Sequence, residues 1–553
     1  MKRKDVTEEH QQEMVLEEVL EPSTSSQQPQ QHVDMDIEQD PKIKDEKDHI
    51  PKENKFKIVL FKGIIADLRD RLPWYVSDWT DAWNYRVIPS TILTFFTNIF
   101  PAIAFAQDMF DKTENSYGVN EVLLASAIAG IIFGIFGGQP LTIVGVTGPI
   151  SIFNYTVYEI IKPQDIPYFP FMFWISIWGM IVHFIISITN CVSALKYATQ
   201  FPCDIFGLFI NVVYMQKGIQ ILTRQFAPDD NGASGFASCI IAIVMGVVGF
   251  AGNAFNETRY LTPTLRQFVV DYTTPACMVF FSGFIHFGGY LDDVTFDRLP
   301  ITKAFHPTSR HHWIDVTGLS VHQVFLALPF GIILAILFYF DHSISSLMAQ
   351  NSKYKLKKPA AFHYDLFLLG IVTGIAGLLG IPCPNGLIPQ APLHTDSLVV
   401  RDKTGKITGT VEQRFTNTVQ GLMLLGMMTR PLLICLGLIP QCVLAGLFFI
   451  MGSTGLHSNV IVNRLRFVFR QSDYDKDNDL TLVSKKNLYL FLLFSLIGWG
   501  AEFGIVQSKG AIGFPLVLLL SVIGAMFFPR IFPREDLDIL DGPVAHEATL
   551  QNL

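Results

Sequence analysis

The chain has 553 residues, of which 50% are hydrophobic and 16% charged, and its mean hydropathy is +0.34. Charged residues make up about a quarter of an ordinary soluble domain, so these values indicate a polytopic membrane protein rather than a large soluble enzyme. Much of the acidity behind the net charge of −8 lies in the N-terminal tail. No basic groove with interleaved aromatic residues is present, which argues against nucleic acid as a partner.

The sequence contains no enzyme signature. Its seven cysteines include no CxxC pair, which predicts neither a disulfide framework nor a thiolate metal site. There is no P-loop, and the pair His546-Glu547 lacks the second histidine of a zinc-protease motif. We therefore expect no catalytic residues, no cofactor and no metal.

The N-terminal region divides into a tail and an interfacial segment. Residues 1–57 are rich in Glu, Gln, Asp, Lys and Pro, which predicts a disordered cytosolic tail. In 58–86, Ile64, Ile65 and Leu68 can form an apolar face, with Asp67 largely opposite, followed by several Trp residues. This pattern predicts an amphipathic helix lying in the plane of the membrane surface.

Apolar segments that could span a membrane follow in close succession, about fourteen in all. In the first half they lie near 90–110, 120–138, 139–161, 167–193, 201–222, 235–252 and 267–287. In the second half they lie near 322–347, 364–381, 387–400, 413–430, 432–455, 487–504 and 510–529.

The two halves lie at a nearly constant offset, which predicts an internal duplication. An odd number of spans per half makes the second copy enter the membrane from the opposite side. The predicted fold class is therefore an all-α polytopic membrane protein with 7+7 inverted repeats. Basic clusters such as 353–358 follow the even-numbered spans, so the positive-inside rule places both termini, including the tail 531–553, in the cytosol.

Spans 3 and 10 are interrupted in the same way, at 138–149 and 380–392, by a high density of Gly and Pro. Irregular backbone is tolerated at membrane depth only where protein or a water-filled cavity satisfies its polar groups. A matched pair of such breaks points to the substrate site of a secondary transporter. We expect a short strand-like piece and then a half-helix in each span, with two N-terminal dipole ends that favour an anion without Lys or Arg. The alternative is a pair of kinked packing helices.

Asp341 is the candidate ionisable group of this site. It ends the apolar run 325–340, yet Ile344, Leu347 and Met348 continue the apolar stripe, so Asp341 should lie about two turns inside span 8. An intramembrane carboxylate is costly and usually functional. Asp341 is therefore a candidate for both substrate binding and proton coupling, the alternative being a carboxylate at the helix end.

Several uncharged residues near the half-helix starts could contact a hydroxylated substrate. Gln390 and Thr147 are hydrogen-bonding side chains that could bind the substrate or merely cap the backbone. A lone histidine, such as His394, is more often structural. The full set of substrate-binding candidates is Asp341, Gln390, Thr147, Gly148, Pro149, Ala391 and Gln139.

From about Gly63 to Arg530 the chain resembles the bicarbonate-transporter (anion exchanger) family, and within it the borate exporters of fungi and plants. The motifs that carry the resemblance include 101–105, 138–141, 145–149, 340–344, 386–398, 412–414 and 439–447. The resemblance implies a core domain (87–200 and 321–431), a gate domain (201–320 and 432–530), a homodimer built on the gate domains, and an elevator-like movement of core against gate. It also implies a substrate site between spans 3 and 10, near Asp341.

One departure narrows the expected substrate. Chloride/bicarbonate exchangers of the family carry an arginine at the start of span 10, where this chain has Gln390. The segment 73–79 also looks like the borate-exporter pattern. We therefore expect a borate or boric acid exporter at the plasma membrane, with vacuolar or endosomal membranes as further locations. A bicarbonate or other small-anion exchanger, a channel, and a non-transporting scaffold or sensor stay open as alternatives.

Overall fold

The computed structural model describes residues 60–197, 199–226, 232–255, 258, 260–291, 293–401, 407–470, 479–508 and 510–542. The predicted tail 1–57 and residues 543–553 of the C-terminal tail lie outside these residues. Within them the chain is almost entirely helical, apart from two small pairs of strands.

The interfacial segment forms two short helices, α1 (Lys62–Arg71) and α2 (Tyr75–Thr80). Asp67 had been predicted on the polar face of α1, and that assignment is wrong. Its carboxylate is buried and accepts a hydrogen bond from the Tyr364 N–H at 2.9 Å, whereas Ile65 is exposed. Because α1 packs on a neighbouring helix, its buried face is set by this partner rather than by hydrophobicity alone.

A buried charge cluster joins these helices to the rest of the protein. The fully buried Asp78 of α2 accepts from Arg71 (2.9 Å), Lys358 (2.8 Å) and Arg414 (2.9 Å). Arg414 also donates to the Gly137 carbonyl at 2.6 Å. A carboxylate shared among three cations is well compensated for its burial.

The predicted core domain contains the helices of spans 1–4 and 8–11. The first set is α3 (Val87–Lys112), α4 (Val119–Phe136), α5 (Gly148–Ile161) and α6 (Tyr168–Ile188). The second is α10 (Val321–Leu326), α11 (Leu328–Ala349), α12 (Phe362–Leu379), α13 (Gln390–Ser397), α14 (Phe415–Gly426) and α15 (Arg430–Gly437). Helix α6 packs against α11 and α12, while α14 packs against α3 and α4.

The predicted gate domain contains the remaining helices. They are α7 (Gln200–Arg224), α8 (Ala233–Ala254), α9 (Pro263–Phe284), α16 (Gln441–Ser458), α17 (Val460–Phe469), α18 (Lys485–Val506) and α19 (Phe514–Ala525), followed by the short α20 (Arg534–Leu540). Helix α16 packs against both α7 and α8.

By length and apolarity, ten helices in the described parts of the chain could cross a membrane. The count is eleven if α14 and α15, which are bent by 82° at their junction, form one broken span. Helices α5 and α13 are too short to cross, as expected of half-helices. The predicted count of fourteen therefore stays a prediction, although each predicted segment contains a helix.

Two strands tie the broken spans together. Strand β1 (Val144–Gly145) pairs antiparallel with β2 (Asn385–Gly386), with Val144 opposite Gly386. Each strand precedes its half-helix, as the sequence predicts. After α13 the chain forms β3 (Val399–Arg401), which pairs with β4 (Ile407–Thr410), so the predicted span 387–400 contains one eight-residue helix and a strand.

Candidate functional site

The two half-helices begin beside the paired strands. Thr147 is the N-cap of α5, and its hydroxyl accepts from the Ile150 N–H at 3.4 Å, while Pro149 occupies the first turn. Helix α13 begins at Gln390 after Pro389, with no side-chain cap. Since β1 pairs with β2, the N-termini of both half-helices lie in the same region of the protein.

A small cavity lies at these helix starts. Its volume is about 50 Å³, roughly that of two water molecules in the liquid. It is lined by Phe105, Thr147, Pro149, Phe206, Ile210, Tyr214, Asp341, Gly386, Leu387, Ile388, Pro389 and Gln390. The lining therefore includes residues of both half-helix starts, of α11, and of α7 from the predicted gate domain. No lysine or arginine is among them.

Asp341 lies inside α11, two turns before its end at Ala349, and is almost completely buried. One carboxylate oxygen accepts from the Asn385 amide at 3.3 Å, and the other has no hydrogen-bond partner within the described residues. The prediction that Asp341 sits within the span rather than at its edge is confirmed. An acid in this position has one oxygen available for a bound molecule.

Close packing of α11 on β2 sets the position of Asp341. A Cβ atom at Gly386 would lie 2.8 Å from the Cα atom of His342, so only glycine fits here. The Ser345 hydroxyl donates to the Leu387 carbonyl at 3.1 Å and holds the same two segments together.

Gln390 is buried, and its side-chain nitrogen donates to the Thr97 carbonyl at 3.3 Å. Its side-chain oxygen has no partner in the described part of the chain. The fixed nitrogen orients the amide, and the oxygen can therefore accept a hydrogen bond from a hydroxylated ligand.

The structure brings together only part of the predicted site. Thr147, Pro149, Asp341 and Gln390 line the cavity. Gly148 and Ala391 are buried next to it but do not line it. Gln139 lies before β1, where its N–H donates to Asp365 at 2.9 Å and its side chain accepts from Leu141. His394 contacts the Leu141 carbonyl, as expected of a structural histidine.

Sequence reasoning missed Asn385 and Tyr214. Asn385 follows two prolines in the second broken segment, so its position could have marked it. Tyr214 lies within an ordinary span and reaches the cavity only through the packing of α7, a contact that no local pattern signals.

A second polar cluster links the two predicted domains beside the cavity. Lys217, one turn after Tyr214 on α7, is ion-paired with Asp108 of α3 at 2.7 Å and contacts the Tyr155 hydroxyl of α5 at 3.1 Å. Lys112 lies 3.4 Å from the same Asp108. Both Asp108 and Lys217 are buried, so this lysine is a neutralised cation rather than a free one for the cavity.

Two broken helices that start at one small polar cavity, within a bundle of apolar helices, define a membrane transporter of the secondary type. The family model for the HCO3⁻ transporter integral membrane domain matches residues 59–231 and 227–545. The chain belongs to this family.

Individual relatives agree with this assignment. "Boron transporter 1" of Saccharomyces cerevisiae is 60% identical over 500 residues, 89% of this chain and 87% of that protein. "Band 3 anion transport protein" of Rattus norvegicus is 24% identical over 87% of this chain and 55% of its own length. Among solved structures, the transmembrane domain of the cyanobacterial bicarbonate transporter BicA matches with a TM-score of 0.52 at 14% identity, over 80% of this chain and 98% of that domain. It shares the fold.

Proposed function

We propose that this protein is a secondary active transporter that exports borate or boric acid, which it holds between the N-terminal ends of α5 and α13. The observation that carries the proposal is the cavity itself, which combines Asp341, Thr147 and Gln390 without a lysine or arginine. The 60% identity to a protein named as a boron transporter supports the choice of substrate.

The chemistry of the cavity suits a small polyhydroxylated ligand. Borate and boric acid carry hydroxyl groups that can donate and accept hydrogen bonds. The free oxygen of Gln390 is an acceptor, and the free oxygen of Asp341 accepts when the acid is ionised and can donate when it is protonated. The backbone N–H groups and dipoles at the starts of α5 and α13 then supply the positive potential that a borate anion requires. Chloride has no hydroxyl group with which to use these acceptors.

An elevator-type movement is the proposed mechanism of alternating access. Phe206, Ile210 and Tyr214 of the gate helix α7 close one side of the cavity, while Thr147, Asp341 and Gln390 belong to the core. Movement of the core would therefore carry the polar groups past an aromatic and aliphatic wall. Asp341 is the proposed proton-coupling group, because its second oxygen is unpaired within the described residues and its side chain lines the cavity.

We further propose a homodimer built on the gate domains, with both termini in the cytosol and the protein in the plasma membrane. Helices α8 and α9 carry a lateral apolar groove lined by Ile240, Val244, Val248 and Phe280, which a lipid or a second copy could cover. The basic loop 353–358 supports the cytosolic assignment.

The test is boron efflux from liposomes that contain the purified protein, measured by mass spectrometry. Asp341→Asn should lose most of the boron flux, while the matched control Asp165→Asn should retain it, because Asp165 is exposed in a left-handed turn that asparagine tolerates. Wild-type flux of bicarbonate or chloride without boron would refute the substrate assignment. Wild-type boron flux in Asp341→Asn would refute the role of Asp341.

A further inference from the structure

A second acid lies inside the membrane domain and is not part of the cavity lining. Glu502 of α18 is fully buried, at 0% exposure, and neither carboxylate oxygen has a hydrogen-bond partner in the described residues. The indole nitrogen of Trp499, one turn earlier on the same helix face, is also buried without a partner among those residues. Helix α18 thus presents two unpaired polar groups to the interior.

An ionised carboxylate in this environment would be very unfavourable. Burial of an unpaired charge costs far more than burial of a neutral polar group, and the usual outcome is neutralisation by a proton. Glu502 therefore carries a proton in the conformation described. Ionisation of Glu502 requires water or a partner to reach it, which a movement of the neighbouring helices can provide. An intramembrane acid of this kind is a functional candidate by default.

Glu502 lies on a helix that packs along α7, one of the helices that line the cavity. Helix α18 packs along α7, with Gly498 against Ile205 and Gln507 paired with Gln216 at 3.0 Å. Between these two contacts α7 carries Ile210 and Tyr214, which line the cavity.

The surroundings offer Glu502 no ion-pair partner within the described parts of the chain. Helix α19 and the turn 511–513 contain no titratable side chain. Helices α17 and α20 meet α18 near its other end, where Arg464 lies over the Phe491 ring and Asp536 accepts from Asn487. The titratable groups on the elements around Glu502 are Cys203, Asp204, Tyr214, Lys217 and Arg224 of α7, Tyr339, Asp341 and His342 of α11, and Tyr155, Tyr158 and Glu159 of α5. The cations among them are Lys217, which is paired with Asp108, and Arg224, which is paired with Asp111.

We propose that Glu502 is a second proton-binding site of the transport cycle, which exchanges its proton with solvent when the core moves against the gate and so couples that movement to a proton gradient. The proposal rests on the proposed function, because it requires that the chain transports boron and that α11 moves relative to α18. Helices α5 and α11 of the predicted core contact the turn 511–513 and α19, which lie beside α18. A movement of the core therefore changes the access of water to Glu502, and the affinity of Glu502 for its proton changes with that access.

The experiment compares wild type with Glu502→Gln in liposomes, under two conditions. One is boron flux driven by a proton gradient, and the other is boron counterflow at equal pH on both sides, which needs no net proton movement. We expect Glu502→Gln to lose the stimulation by the gradient and to keep counterflow. Glu502→Asp, which retains a carboxyl group, should recover the stimulation. Glu535→Gln, an exposed glutamate of α20, is the control.

Each possible result supports or overturns the role of Glu502 as a proton-binding site. Gradient stimulation of Glu502→Gln equal to that of wild type would overturn the proposal, and so would wild-type flux that is indifferent to the gradient. Loss of counterflow together with gradient-driven flux would assign Glu502 a structural role instead. A wild-type protein that moves no boron in either condition would refute the proposed function itself, which is a distinct outcome.

Discussion

The buried ion pair between Asp108 and Lys217 gives the sharpest energetic prediction. It joins α3 of the predicted core to α7 of the predicted gate at 2.7 Å, and both side chains are buried. Removal of one partner from a buried pair costs about 3–5 kcal/mol, because the other charge is left uncompensated. The two single variants should nevertheless differ, because the surroundings of the two charges differ.

In Asp108→Asn, Lys217 keeps only neutral contacts, the new amide and the Tyr155 hydroxyl, so the loss should approach about 3 kcal/mol. In Lys217→Met, Asp108 retains Lys112 at 3.4 Å, so we expect a smaller loss of about 1–2 kcal/mol. The double variant Asp108→Leu/Lys217→Met replaces the pair by apolar groups and should be near wild type.

The assay is thermal unfolding of the detergent-solubilised protein, read as a change in apparent unfolding temperature for the three variants and wild type. The same ranking should appear in counterflow if the pair must break as the core moves, with the double variant transporting at least as fast as wild type. The reasoning fails if the double variant is as destabilised as Asp108→Asn. It also fails if Lys217→Met is the more destabilised of the two single variants.

Two further predictions concern α1 and the cavity. Burial raises the pKa of Asp67, which lies in the interfacial helix, from 3.8 to about 7. The contribution of Asp67 to the free energy of unfolding is therefore fully present below pH 3.8. It is lost as the pH rises from there through about 7, by roughly 1.4 kcal/mol per pH unit. Asp67→Asn should flatten this decline in thermal unfolding, and an unchanged pH profile would contradict it. Gln390→Arg should pair its guanidinium with Asp341 and reduce boron flux about tenfold or more, whereas Gln390→Met should reduce it less. Equal fluxes for these two variants would show that charge is not the deciding factor.

The broken segments were predictable because Gly and Pro act locally. Proline is favoured in the first turn of a helix and Thr147 is a strong N-cap residue, so the sequence predicted the start of α5 near Pro149. The placement of Asp341 followed from the apolar stripe on both sides of it.

Features that depend on a distant partner were not predictable. Asp67 is buried because the Tyr364 N–H is available at the start of α12, 297 residues further along the chain. The positions of two further residues also depend on packing. Tyr214 lines the cavity because α7 packs beside it. Gln139 lies away from the cavity, where its N–H donates to Asp365. The bend of 82° between α14 and α15 is likewise a tertiary feature, since the break precedes a proline but its angle is set by packing.

The distribution of cations predicts that a proton accompanies the substrate. The buried cations of the described residues are already paired: Lys217 with Asp108, Arg71 and Arg414 with Asp78, and Arg464 with Asp204. An anion at the starts of α5 and α13 therefore meets two dipole ends and a carboxyl group. An ionised Asp341 would repel that anion at close range, and a protonated one would donate to it. Anion binding and proton binding at Asp341 must then favour each other, and by linkage the coupling is the same in both directions. A fixed arginine would remove this dependence, so we expect Gln390→Arg to make boron flux less sensitive to pH than wild type.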